Sequence, residues 1–287
     1  MNTHMKGSFS RWSSRSAQWY EEASQYTNYH RELTKYIAPY LSSEEDCCEL
    51  ACGTGTLARH LVPLTAHYTA NDIDPQSIDF CKKMQEQSSI QNLCFIEGDW
   101  HTVLKDRTFD TVIFSYFGAI IRDWDALGSL AAKKIIAIVP RYNALEISEK
   151  KKATAARSRF ADTASAKQSA EKPSSQMDGS SSSSETADRA SDQKKKSRRF
   201  ETMDAVSDFL RKQNVPYKTI PLTLEFGQPC ATLADAEEYV RYYYKFENEE
   251  EIRKFIEEKF IPAECGYYFP KKKNIGIVIV DMTKTEI

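Results

Sequence analysis

Between residues 47 and 139 short apolar runs alternate with amphipathic ones, and this alternation constrains the fold more than any other feature of the chain. Residues 47–51, 67–71, 93–97, 109–115 and 135–139 have the length and apolar character of strands. Residues 56–62, 75–87 and 123–132 have helical spacing, with Pro75 at a tolerated first-turn position. Strands alternating with helices imply a parallel sheet covered on both faces. The almost unbroken apolar character of 111–114 and 135–139 agrees, because a strand buried on both faces has no polar side.

The flanks have a different character. Residues 16–41 predict one helix, with Tyr26, Tyr29, Leu33, Tyr36, Ile37 and Tyr40 on a single stripe. From 148 to 199 the chain turns to Ser, Ala, Lys and Asp with few large apolar residues. Such a stretch buries too little surface to offset the entropy of ordering, and it reads as a disordered insertion. Its basic end, Lys194 to Arg199, reads as a solvated flank. Beyond it, helices are expected at 203–213, 234–246 and 249–260, and strands at 217–226 and 274–282. The chain thus divides into an N-terminal helical segment (1–43), a core half (44–147), the insertion (148–199) and a C-terminal half (200–287) with a helical insertion at 231–262.

Charge and cysteine usage narrow the class. A formal net charge of -2 over 287 residues argues against a dedicated nucleic-acid binder. The 7 cysteines follow no repeated spacing and complete no zinc site, so reduced thiols in a cytosol are expected, with Cys230 a packed thiol. Residues 1–16 are polar and carry no signal-peptide core, and no apolar run approaches the ~20 residues of a membrane span. A cytoplasmic protein without membrane partner or metal is the expectation.

The chemistry concentrates in the loop Glu49-Leu50-Ala51-Cys52-Gly53-Thr54-Gly55-Thr56, between a strand and a helix. Gly53 and Gly55 allow a sharp turn and a close approach to a ligand. The helix start adds free N–H groups. At the tip of the second strand, Asp72 suits both hydroxyls of an adenosine ribose, with Asp74 the second choice. After the third strand, Gly98-Asp99-Trp100 offers a carboxylate for the adenine amino group and a ring for its face. Singly, each acid reads as a helix cap or turn residue. Jointly they gather at the strand ends, where open parallel sheets bind ligands. A dinucleotide loop is the competing assignment, since Gly53-x-Gly55-x-x-Ala58 fits it too. Against it, Glu49 just before the glycines would repel a pyrophosphate but suits a cationic amino group.

Glu49-x-x-x-Gly53-x-Gly55, Asp72, Gly98-Asp99-Trp100 and the Phe-Asp-Thr-Val-Ile-Phe-Ser run at 109–115 together resemble the class I S-adenosylmethionine-dependent methyltransferases, over residues 44–141. Thr56 stands where many members have a third glycine. The resemblance implies an α/β, Rossmann-like fold with a seven-stranded, mostly parallel sheet, helices on both faces and an N-terminal helical lid. It implies S-adenosyl-L-methionine as cofactor, with Glu49, Ala51, Gly53, Gly55, Asp72, Ile73, Asp99, Trp100 and Ser115 as its contacts.

For the acceptor, the family uses the loop after the fourth strand, here Ser115-Tyr116-Phe117-Gly118. The Pro-Pro-aromatic tetrapeptide of exocyclic-amine nucleic-acid enzymes is absent there, and so is a nucleophilic cysteine. A small-molecule acceptor methylated on oxygen or nitrogen is therefore expected, with Tyr20, Tyr26 and Tyr116 nearest the chemistry. His30, His101, Arg15 and Arg122 are further acid–base or anchoring candidates. The alternatives are an RNA methyltransferase using the basic runs at 194–199 and 271–273, a cofactor-binding protein without catalysis, and an NAD-dependent oxidoreductase.

Overall fold

The computed structural model of the chain describes residues 12–86, 88, 90–141, 201–244, 246 and 248–284; the expected insertion at 148–199 lies outside them. Each apolar run expected to be a strand is one. The strands are β1 (Asp46–Leu50), β2 (His67–Asp72), β3 (Leu93–Glu97), β4 (Phe109–Ser115), β5 (Ala131–Pro140), β6 (Tyr217–Glu225), β7 (Gln228–Cys230), β8 (Ile261–Ala263), β9 (Gly266–Phe269) and β10 (Lys272–Asp281). Seven of them form one sheet in the order β3-β2-β1-β4-β5-β10-β6. Its β1 to β5 neighbours pair in parallel, while β10 runs antiparallel to both β5 and β6.

Side chains alternate across a strand, so each strand feeds two layers. Cys47, Tyr68, Ile113, Ile136, Ile138, Ile275 and Ile277 pack on one face, with helices α2 (Tyr29–Ile37), α3 (Thr56–Leu61) and α4 (Pro75–Glu86). Cys48, Leu50, Val112, Phe114, Ile135, Ala137, Val278 and Val280 pack on the other. There they meet α5 (Trp100–Val103), α6 (Trp124–Leu130) and α7 (Met203–Lys212). These two layers are the core, and their odd and even residues decide which side of the sheet edge each functional group occupies.

The N-terminal segment differs from the single helix expected. Asn28 adopts φ 54° and splits it into α1 (Ser14–Thr27) and α2. A left-handed residue ends a helix by turning the chain off its axis. Tyr29, Leu33 and Ile37 of α2 are then 2%, 1% and 0% exposed, which makes α2 a core layer and leaves α1 to reach further.

The C-terminal insertion is also more than helical. Helices α8 (Leu233–Tyr244) and α9 (Glu249–Lys259) pack on a three-stranded antiparallel sheet, β7-β9-β8, around Trp19 of α1. These strands are three or four residues long, too short to show a period in the sequence. Arg15 ties α1 to this unit through Asp235 and Glu238, both at 3.0 Å, and lies over Trp19. Cys230 is buried in β7 as a free thiol, and burial pushes it up to about 12. Among the described residues no helix is long and apolar enough to cross a membrane.

Candidate functional site

The turn leaving β1 uses left-handed residues alternately: Ala51, Gly53 and Gly55 have φ of 54°, 55° and 64°. The chain must fold back so that Cys52 N–H can bond the Asn71 carbonyl at 2.9 Å. Glycine adopts this conformation freely, whereas alanine holds it at a cost of roughly 1–2 kcal/mol. Ala51 is therefore a further position that glycine would suit. Thr56 is the first residue of α3, where the helix was expected to begin.

Asp72 locks this turn to the tip of β2. Its Oδ2 accepts from Gly53 N–H at 2.8 Å and its Oδ1 from Asp74 N–H at 2.9 Å. A carboxylate offers about four acceptor positions, so both oxygens retain capacity for hydroxyl donors. Burial holds the Asp72 carboxyl above its ordinary value, against the hydrogen bonds from Asp74 and Gly53. Beside it Ile73 is 56% exposed, an apolar ledge at the same edge. Asp74 faces the other way: it caps α4 by accepting from Gln76 N–H at 3.1 Å and from Ser77 Oγ at 3.3 Å.

Asp99 caps α5 and accepts from His101 N–H at 3.1 Å and from Nδ1 at 2.9 Å, while its side chain stays half exposed. Burial works to raise its pKa, but the bonds from His101 win and hold it low. Trp100 corrects the expectation. It is 6% exposed in the core layer, so its ring is not free to cover an adenine. The more exposed ring at this tip is His101, lying on Trp100 with centroids 3.8 Å apart.

Glu49 points to the α2 face, like Cys47 two residues earlier. It is 2% exposed and accepts a hydrogen bond from Tyr68 Oη at 3.0 Å. Burial, with the nearby Asp72 charge, pushes its carboxyl up to about 8. Above the loop, Glu21 of α1 accepts from Arg59 at 2.6 Å and from Thr56 Oγ1 at 2.8 Å, which clasps α1 to α3. Trp12 reaches the loop itself: a Cβ on Gly53 would lie 3.2 Å from its Nε1.

A second cluster stands beside the first. Ser115 ends β4, and Tyr116 follows with φ 55° and 40% exposure. Tyr20 packs on Trp12 and Phe226, with centroids 5.1 and 5.0 Å away, and its hydroxyl meets His30 Nε2 at 3.2 Å. At the centre sits Lys273, which in the sequence is only part of the basic run 271–273. Lys273 Nζ lies 3.5 Å from the Phe226 ring centroid, 4.9 Å from Tyr29, 5.1 Å from Tyr20 and 5.5 Å from Tyr116. Burial, aided by the like charge of Lys271, pushes its amine down to about 7. Its only sequence signal was the alternation Lys273-Ile275-Ile277-Ile279, which needs the strand direction to be known.

Tyr26 does not join this cluster. Six residues after Tyr20 it sits ~120° around the helix, and its ring meets Tyr268, 4.9 Å away, beside the small sheet. The other candidates have structural partners. His30 is 3% exposed, bonded to Ser24 Oγ at 2.5 Å, and burial keeps it neutral. Arg122 pairs with Asp123, and Arg15 holds α8. No group of three or more metal-binding side chains occurs among the described residues.

Residues 41–198 match a family described as methyltransferase domain, more than half of the chain. The chain belongs to this methyltransferase family. No curated protein matches it in sequence. Similar solved structures include the YcgJ protein of Bacillus subtilis, at 10% identity, covering 90% of this chain and 100% of that one with a TM-score of 0.49. Precorrin-6y C5,15-methyltransferase of Geobacter metallireducens is 9% identical, covering 87% of this chain and 86% of that one with a TM-score of 0.46. The methyltransferase takes S-adenosylmethionine as its methyl donor, and the residues at the sheet edge suit that molecule. Gly53 keeps the turn's backbone free of a Cβ beside Trp12, Asp72 is anchored with acceptor capacity to spare, and Glu49 can meet an ammonium.

Proposed function

We propose that this methyltransferase transfers a methyl group to the oxygen or nitrogen of a small-molecule acceptor by in-line displacement. The bound cofactor supplies a methyl group already activated on a sulfonium. The protein then has to align the reactants and exclude water. In this reading Glu49 meets the methionine amino group, and the Ala51–Gly55 turn, numbered 51–55, faces its carboxylate. Asp72 holds the ribose, Ile73 supports the adenine and Asp99 accepts from its amino group. Ser115, Tyr116 and Tyr20 lie on the acceptor side.

The observation that carries the cofactor assignment is the Asp72 carboxylate hydrogen-bonded to Gly53 N–H at 2.8 Å, which couples the ribose acid to the glycine turn. A small acceptor is supported by the second cluster. Its rings enclose Lys273, so the basic run at 271–273 does not present that charge to a nucleic-acid backbone. Calorimetry with S-adenosylmethionine, S-adenosylhomocysteine and NAD tests the reading. Binding of both methyl cofactors is expected, and loss of that binding in Asp72→Ala with the circular dichroism unchanged. Tight NAD binding without response to either methyl cofactor would sink it. Methyl transfer from labelled cofactor into a metabolite extract, compared with total RNA, separates the acceptor classes.

A further inference from the structure

We propose that Lys273 selects and deprotonates the acceptor, and that the acceptor is a planar molecule with a weakly acidic hydroxyl, a phenol or an enol. The proposal rests on the small-molecule methyltransferase reading above. Its first support is topological. β10 is antiparallel to β5 and β6, so its first residues reach the edge where the parallel strands end. Lys273 also lies two residues before Ile275 on the α2 face, the face that Glu49 shares.

The second support is the convergence of four elements on one amine. Tyr20 comes from α1, Tyr29 from α2, Tyr116 from the turn after β4 and Phe226 from the end of β6. Ring faces stabilise an ammonium, and here that seat belongs to the protein's own lysine. A cationic acceptor would therefore find its aromatic seat already occupied. The titratable neighbours agree. Lys271 adds positive charge, His30 is held neutral, and the Tyr20 and Tyr29 phenols are held protonated by burial. No carboxylate acts on the Lys273 amine among the causes that move it.

Backbone strain adds a third support. A bulky residue with φ near 55° costs roughly 1–3 kcal/mol, and such residues persist where the fold has a use for them. Tyr116 keeps this conformation while its ring borders Lys273. Tyr29 Oη, on a residue 2% exposed, forms no hydrogen bond of good geometry among the described residues, although Tyr116 acts on its pKa. Planar acceptors stack on such rings.

The proton step is simple. The acceptor O–H bond breaks, its electron pair stays on the oxygen, and the proton forms a new N–H bond on Nζ. The resulting ammonium is held by the four rings and faces the oxyanion it created. An amine with a pKa near neutrality is matched to that task.

The test uses 4-nitrophenol, whose anion absorbs visible light, titrated into the full chain saturated with S-adenosylhomocysteine at about pH 7, where part of the phenol is still protonated and part of the Lys273 amine is neutral. Binding should produce the anion band. Lys273→Met should lose the band and weaken 4-nitrophenol by about tenfold or more, with S-adenosylhomocysteine affinity within about twofold of wild type. Lys273→Arg keeps a cation among the rings but has no lone pair for the proton, so it should still bind nitrophenolate yet transfer the methyl group to an unionised phenol about tenfold or more slowly than wild type; wild-type transfer in Lys273→Arg would overturn the base role. Benzylamine, a cation of similar size, should not compete. Absence of nitrophenol binding, a band that persists in Lys273→Met, or displacement by benzylamine would overturn the proposal. Failure of S-adenosylhomocysteine to bind the wild-type chain would instead overturn the cofactor reading.

Discussion

Replacing Glu49 by glutamine should strengthen the fold and weaken cofactor binding, by amounts that depend on pH. Glu49 is 2% exposed, and burial pushes its carboxyl from 4.5 up to about 8 despite the hydrogen bond from Tyr68. The unfolded chain releases this proton near its ordinary value. Between roughly pH 4.5 and pH 8 the folded state therefore holds more protons than the unfolded one, and stability falls as pH rises through that window. At ~1.36 kcal/mol per pH unit, the fold gives up about 3 kcal/mol at this residue by pH 7. Glutamine cannot ionise, and its amide oxygen can accept the Tyr68 hydroxyl that Glu49 accepts at 3.0 Å. Its amide N–H groups are left short of a partner, at a cost of about 1 kcal/mol. The variant should thus be about 2 kcal/mol more stable than wild type at pH 7 and about equal to it at pH 5. Urea unfolding of both proteins at pH 5, 6, 7 and 8 measures the gap. A gap that stays constant, or that widens toward acid, would refute the reasoning. In the same samples, S-adenosylhomocysteine affinity should drop by about tenfold or more, because the methionine ammonium loses a charge-assisted partner. Unchanged affinity would remove Glu49 from the cofactor site.

Two further predictions concern the turn. Ala51→Gly releases left-handed strain at φ 54° but adds freedom to the unfolded chain, so a net gain of up to about 1 kcal/mol is expected with cofactor affinity unchanged; a lowered thermal midpoint would contradict it. Gly55→Ala combines φ 64° with a Cβ only 2.7 Å from Cys81 Sγ, and should cost about 2–3 kcal/mol. Adding Cys81→Ala should recover the steric share and leave the backbone share, so a double-mutant cycle showing no coupling would disprove the contact.

The local sequence was enough for the parallel half of the molecule. Apolar runs of strand length, with glycine or acid after β1, β2 and β3, needed only period and turn chemistry to be recognised. Asp72 and the Gly53-x-Gly55 turn could be paired because in a parallel sheet all such tips share one edge. Residues whose role depends on packing could not be sorted in this way. Trp100 follows a strand tip in the sequence, yet it turns inward to the core. Tyr20 and Tyr26 share a helix, but six residues carry them to different neighbours. Asn28, which splits the N-terminal helix, is one residue within an otherwise helical pattern.

The sequence by itself determined the glycine turn and the acids at the strand tips, since strand, turn and helix follow one another along the chain and their chemistry is local. The aromatic cluster around Lys273 was decided only by tertiary structure. Lys273 lies in the last strand, 157 residues or so after Tyr116 by their numbering, and meets it only because that strand enters the sheet in reverse. Reversal carries its first residues to the edge where the parallel strands end, and the alternation of side chains sets Lys273 among the rings of α1 and α2. Strand direction and the face a side chain occupies are properties of the assembled sheet, and no run of neighbouring residues encodes them.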